Sequence, residues 1–240
     1  MIYTISGRSK PFGMPITQFI KAGFPDIPID KIDSVFGFVE RSTLYGGREF
    51  GMPELIDRDV GELYSLNIGL RIPLTNHYVT AEEYQNNRPL LDKYHRQGNA
   101  IITTNDDLAQ WIKRDYPFYR IEASVIKNIN SHDKIQKNLE LYDTVVLPMK
   151  INNDLEFLNK IDNKSQVTLF ANAGCALNCP SKICYPSISK ANKFTGERFQ
   201  CSQTMKFRNI LGMIDFDLDK LSALGFSRFK VLRSRGVTGY

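Results

Sequence analysis

Short apolar runs alternate with amphipathic stretches along most of the chain, in the rhythm of a strand followed by a helix. The segments "SVFGFVE" (34–40), "IGLRIPL" (68–74), "AIITT" (100–104), "YRIEASVI" (119–126), "DTVVLPM" (143–149) and "QVTLFANA" (166–173) read as six strands. "NILGMID" (209–215) and "FSRFKVL" (226–232) read as a seventh and an eighth. Helices are expected over 52–66, 80–98, 105–117, 132–142, 153–161 and 217–225. Thr80 is placed to cap the second of these, Asn105 or Asp106 the third, and Pro89 to kink or divide the second.

Eight strands with helical connections predict a parallel α/β architecture, and their number and spacing fit a (β/α)8, TIM-barrel-like fold. A doubly wound open sheet is the alternative. Residues 1–30, broken by prolines and glycines, are expected to form an N-terminal arm. Residues 31–240 then form a single barrel-like domain with a cysteine-rich loop at 174–208. In a barrel the C-terminal ends of the strands form the working face. That face would carry Asn76 and His77, Asn172, Asp215 and Arg233, with the cysteine loop leaving directly from the sixth strand.

The four cysteines change the picture most. "NAGCALNCPSKIC" (172–184) holds Cys175, Cys179 and Cys184, and Cys201 follows 17 positions later, a Cys-x3-Cys-x4-Cys-x16-Cys spacing. The N-terminus lacks the apolar core of a signal peptide and no run is long enough for a membrane span, so a cytoplasmic, reducing location is expected. Disulfides are rare there. Thiolate is a soft donor, and four of them suit a [4Fe–4S] cluster or tetrahedral zinc. Structural zinc more often takes its ligands from two short-spaced pairs, so the uneven triplet plus one remote cysteine favours the cluster, with zinc as the alternative.

Charge points to the same segment. The chain carries 31 basic and 26 acidic residues, and between Cys175 and Arg208 six basic residues face one acid, which leaves 25 of each sign elsewhere. The whole excess sits around the cysteines. Lys182 and Arg198 in that segment, and Arg233 at the exit of the last strand where barrel loops often bind phosphate, are candidate cofactor-binding residues, offsetting an anionic centre or attracting an anionic substrate or RNA. A solvated basic loop accounts for the same charge.

His77 and Asn76, at a strand end, are the candidate catalytic residues, the imidazole as acid, base or substrate ligand. A loop histidine without a role is the alternative. His95 and His132 fall on predicted helices as surface residues. Glu122 within a strand is expected to form a buried ion pair with Arg71 on another.

The order of segments resembles the collagenase-like peptidase superfamily over residues 98–236. "YRIEAS" after "TTNDDLAQWI", then "LYDTVVLPMKINNDLEFL", "QVTLFANAGC" and "GMIDFDLDKLSALGFSRFKVLRSRG", stand in that family's order, with Leu232 where its ending carries Glu. The resemblance implies a barrel. In the subgroups for ubiquinone and RNA hydroxylation it implies a [4Fe–4S] cluster, with Cys175, Cys179, Cys184 and Cys201 as ligands. The expected function is then a redox or hydroxylation-type modification of RNA or of an aromatic or quinone substrate. A zinc- or cluster-stabilised module binding a protein partner and a peptidase-like hydrolase are the alternatives.

Overall fold

The fold is described from a computed structural model, which describes residues 1–179, 181–204 and 214–232. Eight parallel strands close into a barrel in sequence order: β1 (Ile2–Ser6), β2 (Ile32–Phe36), β3 (Gly69–Leu74), β4 (Ala100–Thr103), β5 (Arg120–Ala123), β6 (Thr144–Val146), β7 (Val167–Phe170) and β8 (Arg228–Val231). Around them lie α1 (Ile16–Gly23), α2 (Asp57–Ser65), α3 (Ala81–Asn86), α4 (Arg88–Tyr94), α5 (Asp106–Asp115), α6 (His132–Leu139), α7 (Leu155–Asn159), α8 (Cys184–Ala191) and α9 (Leu218–Ala223). Local chemistry sets the helix starts. Thr80 Oγ1 accepts the Glu83 N–H at 3.2 Å while the Glu83 carboxylate takes the Thr80 N–H at 3.0 Å, a reciprocal cap on α3. Asn105 caps α5 through the Leu108 N–H at 2.8 Å. Pro89 divides the expected 80–98 helix, sitting in the first turn of α4 where its missing N–H costs nothing.

One expectation gives way, and another falls mostly outside the described residues. Residues 1–30 are no arm: Ile2–Ser6 pairs in parallel with both β2 and β8 and closes the barrel. Its five residues hide their strand character because Thr4 and Ser6 point polar groups inward, and a Gly- and Pro-rich loop follows at once. The strand expected at 209–215 lies mostly outside the described residues, and its described end, Asp215, makes an isolated antiparallel bridge to Asn172. The barrel reaches eight strands through β1, so the cysteine segment leaves the seventh strand rather than the sixth.

The outward faces of the strands carry Ile5, Val35, Ile72, Ile101, Ile121 and Leu169, all fully buried in one apolar cluster with the helices. The lumen is ionic. Glu122 from β5 pairs with Arg71 from β3 and accepts from Lys230 Nζ of β8 at 3.1 Å. Arg71 also donates to Ser34 Oγ of β2 at 2.6 Å and to Asp33 at 2.8 Å. The Glu122–Arg71 pair stands as the sequence suggested, with a second cation added. Burial opposes the charge on Glu122, but Arg71 and Lys230 outweigh it and hold its pKa below the usual carboxylate range. Above this network a second apolar cluster of Val146, Met149, Phe170, Ala173 and Leu177 packs at the exits of β6 and β7. The turn that carries Cys175 rests on it through Leu177.

Candidate functional site

The connection after β7 carries the four cysteines. It turns through Cys175–Leu177, tightens around Cys179, and enters α8 at Cys184. Lys182 adopts a left-handed backbone, φ 51°, which directs its N–H to Cys179 Sγ at 3.3 Å. Cys201 returns by two clasps. The Ser187 hydroxyl and the Gln200 backbone exchange hydrogen bonds of 3.1 and 3.2 Å, and Ser202 Oγ lies 3.6 Å from Cys179 Sγ. Cys201 Sγ accepts the Gln203 N–H at 3.4 Å.

None of the four cysteines forms a disulfide. Their thiols share one electrostatic neighbourhood: Cys184 is pushed up to about 11 by burial and then by Cys179, Cys175 and Cys201. Cys179 moves the other way. Burial works to raise its pKa, but the Lys182 N–H, the Ser202 hydroxyl and the Ser181 N–H outweigh it. Among the described residues, no group of three or more His, Cys, Asp and Glu is drawn together tightly enough to enclose a metal ion. By donor chemistry alone the set suits a thiolate-bound centre: four sulfurs lie on one segment, and two of them accept N–H···S bonds of the kind that tune thiolate ligands.

α8 is fastened to the loops after β2 and β3. Asn76, fully buried, gives its amide to the carbonyls of Thr43 (2.9 Å), Tyr45 (3.1 Å) and Ser189 (2.9 Å), and accepts the Tyr78 N–H at 2.8 Å. Asn192 donates to the carbonyls of Tyr45 and Arg48, at 3.1 and 3.0 Å, and Lys193 pairs with Glu83 at 2.6 Å. Gly46 permits this packing: a Cβ there would meet the Thr75 carbonyl oxygen at 2.3 Å. His77 then sits against α8, its Nδ1 3.0 Å from Ser189 Oγ, and burial lowers its pKa.

A cleft of about 780 Å³ opens between these loops and those after β5 and β6, within the size range of small-ligand sites. Its lining includes His77, Asn128, Lys150, Cys179, Lys182 and Tyr185. Burial and the neighbouring thiols raise the pKa of Tyr185, which keeps its hydroxyl protonated. Asp154, the acid on this wall, is turned to cap α7 through the Phe157 N–H at 3.0 Å.

Several expected site residues therefore meet here: His77, Lys182 and Cys179 share the cleft, and Cys184 adjoins them. Asn76 does not line it; its amide is spent on backbone, which makes it a positioning residue. Arg198 is exposed and outside the cleft lining, and Arg233 lies outside the described residues. His95 is packed among Tyr116, Phe118 and Tyr119 and accepts the Phe118 N–H, while His132 stacks on Phe157, so both serve packing. Sequence reasoning missed Ser189, Tyr185 and Lys150. The one signal for Lys150 was its place after a strand ending "VVLPM"; Ser189 and Tyr185 lie in a helix that the cysteine pattern overshadowed.

The fold and the placement of the cleft define a (β/α)8 barrel protein with its candidate site at the C-terminal ends of the strands. No family model matches the chain, and no curated protein matches it in sequence. Among solved structures it is similar to the U32 peptidase Mk0906, with a TM-score of 0.65 and 11% identity over 97% of this chain and 92% of that one. At that identity the likeness carries the barrel fold. Among the described residues no helix is long and apolar enough to cross a membrane.

Proposed function

We propose that Cys175, Cys179, Cys184 and Cys201 hold a [4Fe–4S] cluster beside the cleft, and that the protein supports a redox or hydroxylation-type modification of a ligand bound there. The observation that carries this reading is the meeting of the coupled thiols with the cleft: Cys179, whose sulfur accepts the Lys182 N–H, is part of the cleft wall. A bound cluster supplies one-electron chemistry. The chain's own residues bind and orient: His77 and Tyr185 offer polar groups from the wall, and Lys150 and Lys182 bring positive charge to it. An aromatic or quinone substrate suits the size of the cleft, and RNA reaching it from the basic surface is the wider form of the same reading.

The name of the structural neighbour favours a peptidase-like hydrolase as the second reading. The serine that His77 touches, Ser189, is 0% exposed and gives that pair no accessible nucleophile.

Anaerobic purification with iron, sulfide and zinc analysis tests the proposal. About four iron and four sulfide per chain are expected, the content of one such cluster. Loss of the iron is expected in each single Cys→Ser variant. Stoichiometric zinc without iron would overturn the redox reading, and full iron retention in Cys201→Ser would overturn the ligand set. RNA as substrate requires binding that weakens steeply with salt; a salt-insensitive ligand is the small aromatic.

A further inference from the structure

Ser189 lies in α8, five residues past Cys184, and is fully buried against the loop after β3. Its hydroxyl oxygen accepts the backbone N–H of His77 at 3.2 Å and lies 3.0 Å from His77 Nδ1. A hydroxyl carries one hydrogen. Among the described residues Ser189 Oγ makes no hydrogen bond to another acceptor, and the pairing that gives its buried hydrogen a partner sends it to Nδ1, which is then unprotonated. The proton of the neutral ring is left on Nε2. That nitrogen has no protein partner among the described residues, and His77 is part of the cleft wall.

We propose that Ser189 is a positioning residue that fixes His77 as its Nε2–H tautomer, so that His77 meets a ligand in the cleft as a hydrogen-bond donor to an oxygen acceptor, not as a base. The inference deepens the reading above and rests on it for the cleft being the ligand site. Burial supports the neutral ring, since it disfavours the imidazolium. A neutral imidazole that donates to a developing oxyanion without being consumed as a base is an established way to polarise a carbonyl. The element that sets the tautomer is the one that carries the cysteines. Asn76, Asn192 and Lys193 hold α8 in place, so whatever seats the cysteine segment also seats His77.

Long-range 1H–15N correlation spectra of the purified full chain, labelled at histidine, read the tautomer directly. His77→Asn identifies the signal among the three histidines. The expected pattern is a protonated Nε2 and a bare Nδ1 through neutral pH, with ring protonation only below the ordinary histidine range. In Ser189→Ala, with the fold checked by circular dichroism, the two tautomers are expected to mix and the protonation midpoint to rise. A protonated Nδ1 in the unaltered protein overturns the proposal, as does an unchanged spectrum in folded Ser189→Ala. If that variant does not fold, the tautomer of the unaltered protein decides alone. Iron and sulfide are assayed on the same sample, so failure of the metal reading is seen separately from failure of the tautomer.

Discussion

Ser187 and Gln200 clasp each other across thirteen residues: the Gln200 N–H donates to Ser187 Oγ at 3.1 Å, and the Ser187 hydroxyl is shared between the Gln200 carbonyl at 3.2 Å and the Cys184 carbonyl at 3.0 Å. Ser187 stands one turn past Cys184, and Gln200 directly precedes Cys201, so this pair turns a distant cysteine into a neighbour. Each bond is worth about 1 kcal/mol net. Ser187→Ala removes both bonds to Gln200. Release of iron to a chelator is expected to quicken by about 5–30-fold, the span of 1–2 kcal/mol. Trypsin cleavage at Arg198 is expected to quicken as well, which reads the loop whether or not metal is bound. Unchanged cleavage would show that the segment is held by other contacts.

The ionic lumen makes a statement about acid stability. Burial alone would raise the pKa of Asp33, but Arg71 and Arg120 outweigh it and bring it from 3.8 to about 2. Because the folded value lies below the unfolded one, its contribution is complete above about pH 4 and disappears as the pH falls toward 2. Glu122, held low by Arg71 and Lys230, acts in the same direction. Urea midpoints measured between pH 5 and 2 are expected to fall steeply, and less steeply in Asp33→Asn. Glu122→Gln leaves the buried Lys230 without its counter-charge and Arg71 with Asp33 alone, a loss of about 3–5 kcal/mol at neutral pH. Adding Lys230→Met should recover part of it.

This network also marks how far the sequence could be read. Arg71 and Glu122 stood out because a charge inside an otherwise apolar strand needs a partner, and the alternation of strands and helices was enough for the barrel. Ile2–Ser6 was not legible: a five-residue strand with Thr4 and Ser6 turned into a polar lumen has no apolar run to show. At the site, the cysteine spacing and the local charge pointed to the loop after β7, whose Cys179 and Lys182 line the cleft. Asn76 was expected at the site and its amide turns to backbone instead, since sequence cannot say whether an amide faces a cleft or three carbonyls.

Cys179 and Cys184 sit in opposite electrostatic environments. Cys179 has its thiolate favoured by the N–H groups of Lys182 and Ser181 and by Ser202, against burial, whereas burial and the neighbouring thiols push Cys184 up to about 11. In metal-stripped protein at pH 7, limited alkylation followed by mass spectrometry is expected to label Cys179 before Cys184. Cys184 should gain reactivity only as the pH approaches 11. Lys182→Pro removes the N–H that reaches Cys179 and disfavours the left-handed turn, so it should slow labelling of Cys179. Equal labelling of both cysteines at pH 7 would contradict the assigned environments.

Asn76 separates a structural role from a catalytic one. Its amide joins the loop after β2, through Thr43 and Tyr45, to α8, through Ser189, from a fully buried position. Asn76→Ala takes this donor from the Thr43 and Ser189 carbonyls and leaves that of Tyr45 to Asn192, and a buried group stripped of its partner costs about 1–3 kcal/mol. Asn76→Asp keeps the shape but turns a carboxylate toward three carbonyl oxygens, so it should destabilise more than alanine despite the smaller change in volume. Both variants are expected to lower the thermal midpoint and to loosen α8, with His77 losing its single tautomer in step. If Asn76→Ala kept the thermal midpoint and the His77 spectrum while abolishing turnover of a cleft ligand, the amide would belong to the chemistry after all. The order alanine above aspartate in stability is the outcome that assigns Asn76 to the scaffold that aims His77.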